Sequence, residues 1–143
     1  MGAENFFVIE TGKTAQAAFD RAREDALYWY GHGGYTGTIA EKGSYVFCGE
    51  VGSRYIDKIE GLVADKVYYD GYDPRFGGRK PAKPRIPDAI APVVDKAVLV
   101  YNDTWGPAAC VQITGSHAKE IKEAKGRKGS HDKVYAFFGW ASS

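Results

Sequence analysis

Val134-Tyr135-Ala136-Phe137-Phe138-Gly139-Trp140 carries no charged side chain at either parity of an extended chain. Alternate residues of a strand point to opposite sides of a sheet, so a run that is apolar at both parities belongs in the sheet's centre. Two apolar runs before it also read as strands. They are Ala97 to Tyr101 and Ala108 to Ile113, joined by Asn102-Asp103-Thr104-Trp105-Gly106-Pro107. Between Gly115 and Asp132 the chain is charged and punctuated by glycine, with a short helix expected around Ala118 to Ala124.

Toward the N-terminus, Phe6 to Ile9 is a short apolar run ending at Thr11-Gly12, a strand and a turn. Thr14 is placed to cap a helix whose Ala15, Ala18, Phe19, Ala22, Ala26 and Tyr30 recur at three- and four-residue spacing, with Gly31 as its stop. Tyr35 to Ile39 and Tyr45 to Cys48 flank the polar Glu41-Lys42-Gly43-Ser44, the pattern of a hairpin. Ile56, Ile59, Val63 and Val67 predict a second helix from about Arg54 to Tyr69. From Asp70 to Pro92 periodicity vanishes among prolines, glycines and cations, and a long surface loop is expected. The sum is one α+β domain: a mainly antiparallel sheet of five to six strands with two helices packed on one side.

Composition bounds the function classes. A chain of 143 residues with 44% hydrophobic and 26% charged residues can bury one core, which ten Tyr, seven Phe and three Trp would fill. The net charge of +1 gives no global field toward duplex nucleic acid or a membrane surface. Met1 to Asn5 lacks the charged and apolar regions of a signal peptide, and no apolar run approaches the ~18 residues of a membrane span. Cys48 and Cys110 lie inside apolar runs and read as buried free thiols, so a reducing cytoplasm is the expected location.

Three segments could hold a ligand. In Gly31-His32-Gly33-Gly34-Tyr35-Thr36-Gly37-Thr38-Ile39-Ala40-Glu41-Lys42, glycines expose amides, Thr36 and Thr38 share a strand face, and His32 and Lys42 stand at either end. All of these donate hydrogen bonds to an anion, although a glycine-rich hairpin needs no ligand. It is neither a Walker loop nor a dinucleotide fingerprint, since no Gly-Lys-Ser/Thr opens a helix and the loop follows a helix. The second is Trp105 beside Asp103 and Thr104, where the indole either stacks on a base or folds over the core edge. The third is the basic loop, Arg75, Arg79, Lys80, Lys83 and Arg85 with Tyr72 and Phe76, which suits phosphates or is simply a solvated loop. Trp140 either closes the core or meets a second subunit.

Catalytic and metal patterns are weaker. His32, His117 and His131 show neither Cys-x-x-Cys nor His-x-x-x-His spacing, so no metal is expected. Nucleophilic catalysis lacks an assembled set, and Glu41 is the one carboxylate placed for glycosidic cleavage near a nucleotide.

The strings GYTGTIAEK (Gly34 to Lys42), WGPAAC (Trp105 to Cys110) and FFGWASS (Phe137 to Ser143) resemble those of a group of small uncharacterised tailed-bacteriophage proteins. The resemblance covers three short patches spread along the chain and carries no activity. It implies a phage protein in the bacterial cytoplasm, of a kind that includes inhibitors of host defence and proteins that sequester nucleotide signals.

Together these observations favour a binding protein for a phosphate-bearing nucleotide or cyclic nucleotide, without a cofactor. His32, Gly33, Gly34, Thr36, Thr38 and Lys42 would meet the anion, Arg75, Arg79 or Lys80 would neutralise it, and Tyr35 or Trp105, beside Asp103, would stack on the base. Two alternatives stand beside it: a protein-binding inhibitor of a host enzyme, and an NAD-processing or nucleotide-cleaving enzyme. A homo-oligomer is a further expectation, because a small domain so rich in aromatics has surface to share.

Overall fold

The computed structural model describes residues 2–64, 86–127 and 130–143. Among them the chain runs β1 (Ala3–Gly12), α1 (Ala15–Tyr30), β2 (Tyr45–Gly52), α2 (Ile56–Ala64), α3 (Ala91–Tyr101), β3 (Ala108–Thr114), α4 (Ser116–Ala124) and β4 (Lys133–Ser142). The fold class is α+β. The four strands form one sheet in the order β1-β4-β3-β2, in which β4 is antiparallel to both neighbours and β2 runs parallel to β3.

The apolar run at the C-terminus does lie inside the sheet, and its two parities build two cores. Val134, Ala136 and Phe138 join Val94, Ala97, Tyr101, Ile59 and Val63 on the face covered by α2, α3 and α4. Tyr135, Phe137 and Ala141 join Ala18, Phe19, Ala22 and Ile39 on the face covered by α1. Phe137 and Phe138 are fully buried, and each contributes roughly 2–3 kcal/mol through the apolar area it removes from water. Among the described residues helices therefore cover both sides of a four-stranded sheet, where two helices on one side of five or six strands were expected.

α1 starts where Thr14 Oγ1 accepts the Ala17 amide at 3.1 Å, and ends where the Gly31 amide bonds the Leu27 carbonyl. Its Ala18, Phe19, Ala22 and Ala26 are buried as the spacing requires, but Tyr30 is exposed. α2 falls within the expected span, whose residues from 65 onward lie outside the described residues. So does most of the expected loop, and its end is corrected: Pro92 sits in the first turn of α3, where its fixed φ suits a helix and its missing N–H costs nothing. Ala97 to Tyr101 is accordingly the second half of a helix and not a strand. Val94, Ala97 and Tyr101, three and four residues apart, face the sheet.

The expected hairpin is absent. Gly34, Tyr35 and Gly37 have φ of 74°, 55° and 71°, left-handed values far from the extended backbone of a hairpin strand, and Thr38 caps a short 3₁₀ turn over Ile39–Glu41. β2 instead pairs with β3, with a bulge between Phe47 and Gly49. Gly49 is required there: its φ is +136°, and a Cβ would stand 2.9 Å from Val93. Trp140 packs against the core and donates Nε1–H to the Val63 carbonyl at 2.8 Å, so it closes the domain on itself. Both cysteines are buried and free.

Candidate functional site

The glycine-rich loop is closed by one of its own carboxylates. Glu41 Oε1 accepts the Tyr35 amide at 3.0 Å, while Oε2 accepts the Thr36 amide at 3.2 Å and the Thr36 hydroxyl at 2.7 Å. Thr36 and Thr38 hydroxyls bond each other at 2.8 Å, and Thr38 Oγ1 also accepts the Ala40 amide. The Gly37 amide bonds the Ser142 carbonyl at 2.7 Å. An external phosphate at Tyr35–Thr36 would have to displace Glu41. The loop thus builds an anion cradle, as its residue types promise, and fills it from within.

Glu41 is held as a carboxylate. Burial by itself raises its pKa, but the hydrogen bonds from the Thr36 side chain and the Thr36 and Tyr35 amides, with the Arg23 charge, outweigh it and leave the group below its ordinary value. A carboxyl kept ionised by these donors is a poor proton donor for glycosidic cleavage. His32, Gly33 and Gly34 are exposed at the start of the loop.

Lys42, the next residue, fastens a second loop. It is buried to 2% exposure, and its Nζ donates to the carbonyls of Asp103, Thr104 and Gly106 at 3.3, 2.9 and 2.9 Å. A buried ammonium needs such partners, and it has no exposed surface with which to meet a ligand. Asp103 completes the turn by accepting the Trp105 amide at 3.0 Å through Oδ1. Trp105 is held outward, 70% exposed, and does not fold over the core edge. Two neighbouring side chains of opposite charge therefore set the shapes of both loops that the residue pattern marks out. Arg75, Arg79 and Lys80, with Tyr72, Phe76, Lys83 and Arg85, lie outside the described residues.

An open site lies elsewhere, along β1. Among the described residues β1 is an edge strand, and α1 lies mostly over it, with an open groove of about 400 Å³ between them that the loop closes at one end. Phe6, Phe7 and Val8 line it from the strand, Ala22, Asp25, Ala26, Trp29 and Tyr30 from the helix, and Thr36, Gly37, Thr38 and Ile39 from the loop. Trp29 is 75% exposed, and Tyr28, packed edge-on to it at 5.2 Å between ring centroids, and Tyr30 are exposed as well. The carboxylates of Glu4 and Asp25 line the groove, and no Lys or Arg does among the described residues. Thr36 and Thr38 are the two expected ligand residues that reach it.

Register decides which amides of β1 face outward. Gly2 and Ser143 exchange both backbone bonds, at 3.3 and 3.1 Å, and the pairing of β1 with β4 runs without a shift from Ala3 to Gly12. Antiparallel ladders alternate, so Glu4, Phe6, Val8 and Glu10 bond β4 while Asn5, Phe7, Ile9 and Thr11 turn their N–H and C=O outward. Thr11 is then capped: its amide bonds Glu10 Oε1 at 3.0 Å and its carbonyl accepts from Arg21 Nη1 at 2.7 Å. Around that cap, Arg21 and Arg127 each approach Asp132 at 3.6 Å and Lys125 approaches Glu10 at 3.8 Å. From Asn5 to Ile9 the outward edge has no partner strand among the described residues.

The helix residues of this groove were missed by residue pattern, although a signal existed. Three successive aromatics on a helix span about 200°, so Tyr28, Trp29 and Tyr30 cannot all be buried. Cysteine chemistry is remote: burial pushes the Cys110 thiol up to about 12, helped by nearby Cys48, and burial raises Cys48 too. Neither supplies a thiolate near neutral pH. Among the described residues no group of three or more His, Cys, Asp or Glu could hold a metal ion, and no helix is long and apolar enough to cross a membrane. Compared with protein-family models, curated proteins and solved structures, the chain finds no match in any of the three.

Proposed function

We propose that this chain is a binding protein for another polypeptide and that the groove along β1 is its docking site. The observation that carries this is the exposed Trp29 lining, with Tyr30, a groove beside a strand edge that has no partner strand among the described residues. Tyr and Trp supply large contact area at low entropic cost and dominate the energetics of protein interfaces. The similarity of three patches to tailed-phage proteins would give the partner an origin, a protein of the bacterial host that this chain inhibits by occupying it. A selection of linear peptides from a random library tests the reading. Selected peptides should bind the groove and lose about tenfold or more in affinity on Trp29→Ala; binders indifferent to Trp29, or none at all, would contradict it.

A second reading keeps the nucleotide. About 400 Å³ between Trp29, Tyr30 and the Thr36 and Thr38 hydroxyls suits a nucleobase, with Arg75, Arg79 and Lys80 proposed to meet its phosphates. The two part in a thermal-shift panel of nucleotides and cyclic oligonucleotides. The polypeptide reading expects no rise in Tm; a rise of several degrees that Trp29→Ala abolishes would favour the nucleotide.

A further inference from the structure

We infer that the occupant of this groove is an extended, basic segment that adds to the sheet as a fifth strand, antiparallel to β1. The inference rests on the polypeptide reading above and names the partner's conformation and charge. Exposed strand edges are ready templates for pairing, and natural proteins blunt them. Here the blunting is local. Glu10 and Arg21 close the edge at Thr11, whereas Asn5, Phe7 and Ile9 offer three outward N–H and C=O pairs over a stretch where nothing described covers them. At about 3.4 Å per residue, a segment of roughly six or seven residues spans the open part.

Charge chooses the occupant. Among the described residues no cation lines the groove in which Glu4 and Asp25 stand, and β1 itself carries Glu4 and Glu10 and no Lys or Arg. A second copy of β1 would bring carboxylates together, but a strand with Arg or Lys at alternate positions would meet complementary charge. Alternation also fixes which residues those are. Side chains opposite Glu4, Phe6 and Val8 lie on the α1 face, so every second residue of the incoming strand reaches the groove. An Arg there can pair with Glu4 or Asp25 and lay its guanidinium on Trp29. Residues opposite Phe6 and Val8 turn their own amides away from β1, and the residues between them donate to it.

The test uses an eight-residue, N-acetylated, fluorescein-labelled peptide of alternating Arg and Val, read by anisotropy against the full chain at physiological salt. Binding should weaken by about tenfold or more when the Val amides are N-methylated and by much less when the Arg amides are, since charge is the same in both. Replacing Arg by Glu should abolish it, and Glu4→Lys with Asp25→Lys should weaken it. Asn5→Pro removes an outward donor while leaving the β4 ladder, and should also weaken binding by about tenfold, with Asn5→Ala as the neutral control. Equal effects of the two methylations, together with an indifferent Asn5→Pro, would overturn strand addition. If Trp29→Ala still abolished binding in that case, the polypeptide reading would survive. No binding by this peptide or by any library peptide would end both. A concentration-dependent dimer in sedimentation that Asn5→Pro dissolves would place a second copy at the edge and overturn the inference.

Discussion

Two stretches of main chain in this molecule present rows of N–H groups, the loop from Tyr35 to Lys42 and the outer edge of β1, and they meet opposite fates. In the loop, Glu41 takes the amides of Tyr35 and Thr36, Ser142 takes that of Gly37, and Thr38 takes that of Ala40. Along β1, Thr11 is capped by Glu10 and Arg21, and Asn5, Phe7 and Ile9 are left facing outward. Glycine and threonine announce exposed amides, yet what decides a binding site is whether the chain supplies its own acceptor. A carboxylate six residues away does so for the loop.

The difference can be broken from either side. The largest expected effect belongs to the closed loops. Lys42→Met keeps the buried stem but removes the ammonium from three carbonyls, and should lower stability by about 2–3 kcal/mol in urea unfolding. An unchanged midpoint would mean that water replaces Nζ at no cost.

Next comes Glu41→Ala, expected to cost about 1–2 kcal/mol at neutral pH and to open the cradle. Millimolar sulfate should then raise the Tm of Glu41→Ala and leave the parent unmoved. The pH dependence follows from sign. Glu41 has a folded pKa below its ordinary value of 4.5, so its stabilisation is present above that value and is lost as pH falls through the folded pKa. The stability gap between parent and variant should therefore narrow below about pH 4.5; a gap that widens in acid would contradict the account.

A smaller effect separates two adjacent prolines. Glu4→Pro removes an amide that bonds β4 and should cost about 1 kcal/mol, while Asn5→Pro removes one that faces outward and should change stability by less than about 0.5 kcal/mol. The smallest effect concerns Trp29→Ala. Its indole is mostly exposed, so unfolding should shift by less than about 0.5 kcal/mol even as peptide affinity falls.

Much of the fold was legible where one residue pattern had one reading. β4 is apolar at both parities, β3 is a bounded apolar run, and α1 carries both a capping Thr14 and a stopping Gly31. The apolar parities of β4 also required cover on both faces, an implication at odds with helices on one side. Ala97 to Tyr101 misled because Val98 and Val100 favour strands; the tertiary fit of Val94, Ala97 and Tyr101 against the sheet prevailed over that preference. Thr36-Gly37-Thr38-Ile39 alternates like a strand, but positive φ at Gly34, Tyr35 and Gly37 turns it into a loop. The parallel partnership of β2 and β3 joins segments more than fifty residues apart and leaves no local mark.

The site was legible in part. Thr36 and Thr38 reach the groove, while Lys42 and Asp103 turned out to hold a turn together. Local pattern showed which residues could donate to an anion, and only the three-dimensional partners showed that Glu41 and the carbonyls of Asp103, Thr104 and Gly106 already receive those donors.

Native-state amide hydrogen exchange by NMR reads both stretches in one experiment. The account predicts slow exchange at Tyr35, Thr36, Phe6 and Val8, with Asn5, Phe7 and Ile9 exchanging orders of magnitude faster. Protection of Asn5, Phe7 and Ile9 equal to that of Phe6 and Val8, or fast exchange at Tyr35 and Thr36, would contradict it.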